Sequence, residues 1–141
     1  MTNSVISIDS TMSVKDAAKM MEDARVGAII VMEDNTPIGI VTERDFAIKI
    51  VAHANPIDTK IKSVMSSPLY SIGPDESVRM IADLMYTREI HKLPVIENEK
   101  VIGIVTATDL VKQFATCTEV DLQKMYCESI TRIYEHFSPY G

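Results

Sequence analysis

The stretch GIVTERD at residues 39–45 returns as GIVTATD at residues 103–109. A shift of 64 residues aligns residues 13–50 with residues 77–114 without a gap, and about a dozen of the aligned positions are identical. The two stretches therefore belong to a duplicated unit of about 60 residues, and this duplication decides the fold.

Composition and charge limit the classes of protein to which the chain could belong. With 141 residues and 46% hydrophobic content, the chain can bury one ordinary core or two small halves that share one. The net charge of −6 makes nucleic acid an unlikely partner, although a small phosphorylated ligand needs only local positive charge. The sequence contains neither an 18-residue apolar run nor a signal-peptide pattern, so we expect a cytoplasmic protein without a membrane anchor.

Each copy of the duplicated unit has the same pattern of secondary structure. A short strand (VISI at 5–8, LYSI at 69–72) precedes a helix whose N-cap region contains Ser13 or Ser77. The helical apolar stripes are Val14, Ala17, Ala18 and Met21 in the first copy, and Val78, Ile81, Ala82 and Met85 in the second. Two apolar runs joined by a polar turn follow, and the second run ends in GIVT before another helix. The predicted order is strand, helix, strand, strand, helix.

The chain divides into four predicted segments. Residues 3–53 and 63–116 are the two repeats, 54–62 form a linker, and 117–141 form a C-terminal extension. In the extension, apolar residues recur at helical spacing and predict an amphipathic helix: Leu122, Met125, Tyr126, Ile130, Ile133 and Phe137. This stripe covers either the protein's own core or an interface with a second copy or a partner. A unit this small gains most by packing against its copy, so we expect the two repeats to pair about a pseudo-two-fold axis.

The duplicated motif, together with VMSSPLYSIGPDESV at 64–78 and IHKLPVIENEKVIGIVTATD at 90–109, resembles the CBS domain, named for cystathionine β-synthase. The resemblance covers about residues 3–116 and implies an α/β (α+β) fold of two β-α-β-β-α repeats. The C-terminal extension lies outside the region of resemblance. One departure is visible, because the first copy lacks the VM lead-in that precedes the second copy, and this leaves the covering of its N-terminal edge undetermined.

A threonine and an aspartate stand where each motif strand leads into a helix. Amides at such a helix start attract phosphate, and the aspartates three residues later, Asp45 and Asp109, could each accept two hydrogen bonds from a ribose diol. The same T-x-x-D spacing is also a capping box, in which Thr42 or Thr106 caps the helix and the acid reaches back. The glycines Gly39 and Gly103 are interpreted as positions of close backbone approach.

The resemblance implies two ligand sites between the repeats. The main site consists of His91, Lys92, Thr106, Thr108, Asp109, Val26, Gly27 and Ala28. In this site the basic pair would meet the phosphates, Asp109 the ribose, and the small residues 26–28 of the opposite copy the base. The second site consists of Thr42, Arg44, Asp45, Tyr70 and Ile90, and it ranks lower because it has fewer phosphate donors.

The resemblance favours a regulatory sensor module for an adenosine-containing ligand. AMP, ADP or ATP is the expected ligand, which would suit an energy sensor; S-adenosylmethionine or NAD is also possible, and no cofactor is expected. Disc-like homodimers are implied, with the helices after each motif at the interface, and the regulated partner is unknown. The alternative is a ligand-free interaction module that acts through its dimer and C-terminal helix.

An enzyme is disfavoured, because no nucleophile with a neighbouring base is evident and catalytic residues are predicted to be absent. Cys117 and Cys127 lack metal or redox spacing, and the acidic turn at 33–35 is interpreted as a hairpin tip and not as a metal site.

Overall fold

A computed structural model describes residues 5–116 of the chain. They form two compact units, the first ending at Tyr70 and the second beginning at Ser71. The first unit contains β1 (Ser7–Asp9), α1 (Val14–Ala24), β2 (Ala28–Glu33), β3 (Thr36–Thr42), α2 (Glu43–Asp45), a π-helix (Phe46–Val51) and a 3-10 turn (Ile61–Ser63). The second contains α3 (Val78–Arg88), β4 (Lys92–Glu97), β5 (Lys100–Thr106) and α4 (Ala107–Thr116). The predicted mixed α/β fold is confirmed. The predicted C-terminal helix and both cysteines lie outside the described residues.

The first unit is built on a three-stranded sheet with β2 in the centre. β1 runs parallel to β2, and β3 runs antiparallel to it with Ile30 opposite Ile40. The apolar run at the start of β2 is buried, and Ile29, Val31 and Val41 are fully inaccessible to solvent. The sheet therefore supplies the centre of the core, and the predicted buried character of these apolar runs is confirmed.

Helices α1 and α3 begin where the serines predict. The Ser13 hydroxyl accepts a 3.1 Å hydrogen bond from the Asp16 amide, and the Ser77 hydroxyl accepts a 3.2 Å bond from the Met80 amide. Each helix buries three members of its predicted stripe: Val14, Ala17 and Met21 in α1, and Val78, Ile81 and Met85 in α3. The prediction was wrong for Ala18, which is exposed because it lies toward the next helix of the unit and away from the sheet.

The duplication extends to details of the two hairpins. Each contains a register shift at the same relative position, between Val31 and Met32 in the first unit and between Val95 and Ile96 in the second. Each hairpin tip has two consecutive residues with positive φ: Asp34 and Asn35, and Asn98 and Glu99. The acidic turn at 33–35 is therefore a hairpin tip, as the sequence predicts.

The strand predicted at 69–72 is reduced to one residue. Ile72 alone makes a parallel bridge, to Val95, in which its amide donates to the Pro94 carbonyl at 3.0 Å. The Ile96 amide donates back to the Ile72 carbonyl at 2.8 Å. Gly73 and Pro74 follow at once, and proline has no amide with which to extend the ladder, so the prediction was too long.

The second predicted helix of the first unit differs from an ordinary α-helix. After one α-helical turn the chain widens into the π-helix, whose end is marked by the Ala52 amide donating to the Ala47 carbonyl at 2.9 Å. A π-helix has no separate sequence signal, so spacing alone predicted only a helix.

The segment after the π-helix packs into the first unit. Ile61 and Val64 are buried with the residues of the sheet and α1, so this segment belongs to the first compact unit of the structure. Ser66 then pairs with Ile40 in β3, since the Ser66 amide donates to the Ile40 carbonyl at 2.9 Å. This pairing brings the chain directly over Gly39. A Cβ atom at Gly39 would lie 2.5 Å from the Met65 sulfur, so the predicted close approach at this glycine is confirmed.

The same segment covers the N-terminal edge of the first unit. The Ile61 amide donates to the Met12 carbonyl at 2.8 Å, and the Lys62 amide donates to the Ser10 carbonyl at 3.3 Å. Lys62 also forms a 2.8 Å ion pair with Glu33, and this hydrogen bond and charge lower the pKa of the Glu33 carboxyl. The lead-in missing from the first copy is therefore replaced by residues that follow the π-helix.

Candidate functional site

Both motifs lie at a corner where a strand ends and a helix begins. Thr42 closes β3 before α2, and Thr106 closes β5 before α4. The first helical amide of each corner is bonded to the residue just before the first strand of its hairpin: Glu43 donates to the Gly27 carbonyl at 3.2 Å, and Ala107 donates to the His91 carbonyl at 2.8 Å. These bonds hold residues 27 and 91 next to the motif of their own repeat.

The second-repeat corner contains a reciprocal capping box. The Asp109 amide donates to the Thr106 hydroxyl at 3.0 Å, and the Thr106 amide donates to an Asp109 carboxylate oxygen at 2.9 Å. The capping interpretation is therefore confirmed for this pair.

The first-repeat corner is held by contacts from three residues to Asp45. The Thr42 amide and hydroxyl lie 2.9 and 3.2 Å from Oδ2 of Asp45. The Lys49 ammonium lies 3.1 Å from Oδ1 of the same carboxylate, and the Ser66 hydroxyl lies 3.5 Å from it. The Asp45 side chain is only 12% exposed. Both oxygens of Asp45 thus have protein partners.

The remaining residues of the predicted sites divide between the two units. Val26, Gly27 and Ala28 lie in the first unit, where Ala28 is buried and the other two are half-buried. In the second unit His91 and Thr108 are exposed, and Lys92 is half-buried at the start of β4. For the second site, Arg44 is exposed, whereas Tyr70 and Ile90 are half-buried. The structure brings His91, Thr106 and Asp109 together within one unit, and the complete two-repeat sites remain predictions.

Lys49 and Ser66 are contacts that sequence reasoning missed. Lys49 stands four residues after Asp45 on the predicted helix, and an acid four residues before a lysine is a recognised pairing signal. Ser66 follows Asp45 by 21 residues and has no comparable signal.

A groove also runs between α1 and the helix that follows the first motif. Two adjoining cavities of about 510 and 290 Å³ form it, and they share Ala18, Glu22 and Phe46 as lining residues. Ile57, which lines it, is 57% exposed. The groove belongs wholly to the first unit and provides an apolar surface on its helical side.

The side-chain clusters and the helices of residues 5–116 bear on two further classes of site. No group of three or more His, Cys, Asp or Glu side chains in this range is arranged to hold a metal ion. No helix in the same range has the length and apolar character needed to cross a bilayer.

The sequence profile of the CBS domain family matches residues 1–52 and 61–116. A CBS domain-containing protein of Bacillus subtilis, YhcV, is 33% identical over 110 residues, covering 78% of this chain and 79% of the relative. A solved signal-transduction protein with CBS domains from Burkholderia ambifaria is 30% identical, with a TM-score of 0.74 over 82% of this chain and 87% of the other. The CBS domain pair of protein MJ0100, solved with 5′-methylthioadenosine and S-adenosylmethionine, is 26% identical, with a TM-score of 0.71 over 80% and 93% of the two chains.

Proposed function

Because the chain belongs to the CBS domain family, we propose that it is a regulatory module that binds an adenosine-containing ligand between its two repeats. Pairs of CBS domains generally serve as regulatory modules, and the related MJ0100 pair was solved with two adenosine compounds. The observation that carries the proposal is the second-repeat corner, where a hydroxyl and a carboxylate meet at a helix start. A regulatory role also fits a chain whose matched family is a binding domain and not a catalytic one.

The main site would use the residues of the second repeat for the sugar phosphate. Lys92 provides positive charge for phosphate, and the His91 ring and the exposed Thr108 hydroxyl add hydrogen-bond donors. Asp109 would accept from the ribose diol while it keeps its capping bond to Thr106. The backbone of residues 26–28 would face the base. AMP, ADP or ATP is the proposed ligand class, with S-adenosylmethionine and NAD as competitors.

Ligand binding is expected to stabilise the protein in a thermal-shift assay. A ligand at 100 times its dissociation constant should add ~2.7 kcal/mol, which raises the melting temperature by about 5–10 °C for a chain of this size. The panel is AMP, ADP, ATP, S-adenosylmethionine and NAD, each at millimolar concentration, with adenine and ribose 5-phosphate as matched fragments. A shift with a nucleotide and none with either fragment supports the proposal. No shift with any member of the panel would favour the ligand-free interaction module.

We also propose that the protein is a homodimer joined through the helices that follow the two motifs. Val51 in the first of these helices is 76% exposed, and Val111 in the second is 64% exposed. These exposed apolar side chains lie on corresponding helices of the two repeats. They favour an interface in which a second copy of the chain covers both helices.

Val51→Asp is expected to convert the dimer to a monomer at micromolar concentration, because burying an unpaired carboxylate in each copy costs several kcal/mol. Light scattering after size-exclusion chromatography measures the mass. Tyr86→Asp is the matched control, since Tyr86 is 87% exposed but lies on α3, which is not one of the helices that follow the motifs. A natural chain that is monomeric, or a Val51→Asp variant that stays dimeric, contradicts this arrangement.

A further inference from the structure

We infer that the chain's own C-terminal segment, residues 122–137, binds in the groove between α1 and the helix that follows the first motif. The sequence leaves two interpretations of the apolar stripe in this segment, a cover for the protein's own core or an interface with another molecule. Binding in the groove makes the stripe a cover for the first unit. No adenosine ligand takes part in this contact, so it is independent of the proposed function.

The groove has an apolar lining contributed by both helices and by the residues after them. Ala18 and Phe46 line both of its cavities, and Ala18 is exposed while Phe46 is half-buried. The other apolar residues of the lining are Val14, Met21, Val26, Ile50 and Ile57. Val51, at the proposed dimer interface, is not among them, so binding in the groove and dimerisation use different side chains. Apolar side chains between two helices form a surface to which an amphipathic helix binds.

The matching position of the second unit is more enclosed. The shift of 64 residues places Ala82 at the position of Ala18, and Ala82 is half-buried whereas Ala18 is exposed. The same shift places Leu110 at the position of Phe46, and Leu110 is only 6% exposed. An apolar segment therefore has more uncovered surface to bury on the first unit than at this position of the second.

The length of chain that follows the described residues suits the groove. Helix α1 contains 11 residues and is therefore ~16 Å long. Residues 117–141 follow, and the predicted stripe from Leu122 to Phe137 would be about 22 Å long as a helix. About three turns of the segment can thus lie against α1. A lone helix of this length is only marginally stable in water, so it gains stability when its apolar face is packed.

The charges around the groove also favour this segment. The lining contains three cations and two acids, a net charge of +1: Lys15, Lys19, Arg25, Glu22 and Glu43. Residues 117–141 contain four acids and two cations, a net charge of −2 with histidine neutral: Glu119, Asp121, Glu128, Glu135, Lys124 and Arg132. The opposite net charges attract each other, although salt screens the attraction between exposed groups.

Hydrogen–deuterium exchange of the full chain, measured by mass spectrometry, tests the inference. The amides of residues 122–137 are expected to be protected in the natural protein. Ala18→Arg places a long charged side chain in the groove, and α1 should stay folded because Ala18 is exposed and arginine is a good helix former. Exchange of residues 122–137 is expected to be at least about tenfold faster in this variant. Ala18→Glu provides the same test if the arginine variant does not fold.

Ala24→Arg is the matched control. Ala24 is also exposed on α1 but is not among the residues that line the groove, so residues 122–137 should keep their protection. Rapid exchange of these residues in the natural protein overturns the inference. Unchanged protection in a folded Ala18 variant overturns it too, because the segment then packs elsewhere. An equal loss of protection in the Ala18 and Ala24 variants has the same consequence, since the effect is then not specific to the groove.

Photo-crosslinking identifies which molecule supplies the segment. A benzophenone amino acid in place of Tyr126, a member of the stripe, puts a reactive group on the apolar face of the full chain. The expected product has the mass of a single chain and joins residue 126 to residues 14–25 or 43–57, because tethering raises the effective concentration of the segment. If the products join residue 126 only to other parts of the chain, the inference is overturned. If they form only at twice the chain mass, a second copy supplies the segment, and the inference is likewise overturned.

Discussion

Gly39→Val is expected to destabilise the protein by about 3 kcal/mol or more, the largest stability loss among the substitutions considered. A Cβ atom at this position would lie 2.5 Å from the Met65 sulfur and 3.0 Å from the Ser66 carbonyl oxygen. The methionine can shift, but Ser66 is held by its backbone pairing with Ile40. Overpacking of this kind costs about 1–3 kcal/mol for one small group, and valine adds two further methyl groups. Urea unfolding measures the loss.

Two further variants identify the cause of that loss. Gly73→Ala is the matched control, because a Cβ atom at Gly73 would meet nothing within 4 Å, and we expect a change within about 0.5 kcal/mol. Gly39→Ala combined with Met65→Ala should cost less than the sum of the two single changes, since the shorter side chain removes the clash. Strict additivity, or a stable Gly39→Val protein, would show that the segment at 65–66 moves aside freely.

Much of the fold could be predicted because local sequence patterns determine it. Ser13 and Ser77 mark helix starts through a hydroxyl that accepts from an amide three residues on, which is a short-range interaction. The hairpin tips are likewise set by adjacent residues, Asp34 with Asn35 and their counterparts at 98–99. The duplication doubled each of these signals, so a weak pattern in one copy was supported by the other.

Other features were not predictable because they depend on distant partners. The strand predicted at 69–72 is limited to Ile72. Its length depends on the proline that follows Gly73 and on the backbone hydrogen-bond partners in β4. The path of residues 61–66 over the first sheet depends on Ile61 and Val64 finding space in the core, which no local spacing encodes. For the candidate site, the residues of the corners were predictable from the motif. The Lys49 contact with Asp45 follows the four-residue spacing of a helical ion pair, whereas the Ser66 contact, 21 residues away in sequence, has no local signal.

The capping boxes raise the question whether the motif aspartates serve the ligand or only the helix, and Asp109→Asn separates the two roles. Asparagine keeps an oxygen that can accept from the Thr106 amide, so the free energy of unfolding should change by less than about 1 kcal/mol. It loses the negative charge and one acceptor oxygen, so AMP affinity should fall about 10- to 100-fold, because a charged acceptor contributes more to each ribose hydrogen bond. Titration calorimetry and urea unfolding on the same variant measure both quantities.

Asp16→Asn is the control for this substitution. Asp16 forms the capping box of α1 with Ser13, so it has the same local chemistry as Asp109 but lies outside the proposed ligand sites. If capping were the whole role of the motif acid, both asparagine variants would have equal stability and equal AMP affinity. If Asp109 also binds ribose, the two variants have similar stability and differ at least tenfold in affinity. An Asp109→Asn protein that unfolds while Asp16→Asn stays folded would instead make the second corner a structural requirement of its repeat, and it would remove the main support for ribose binding there.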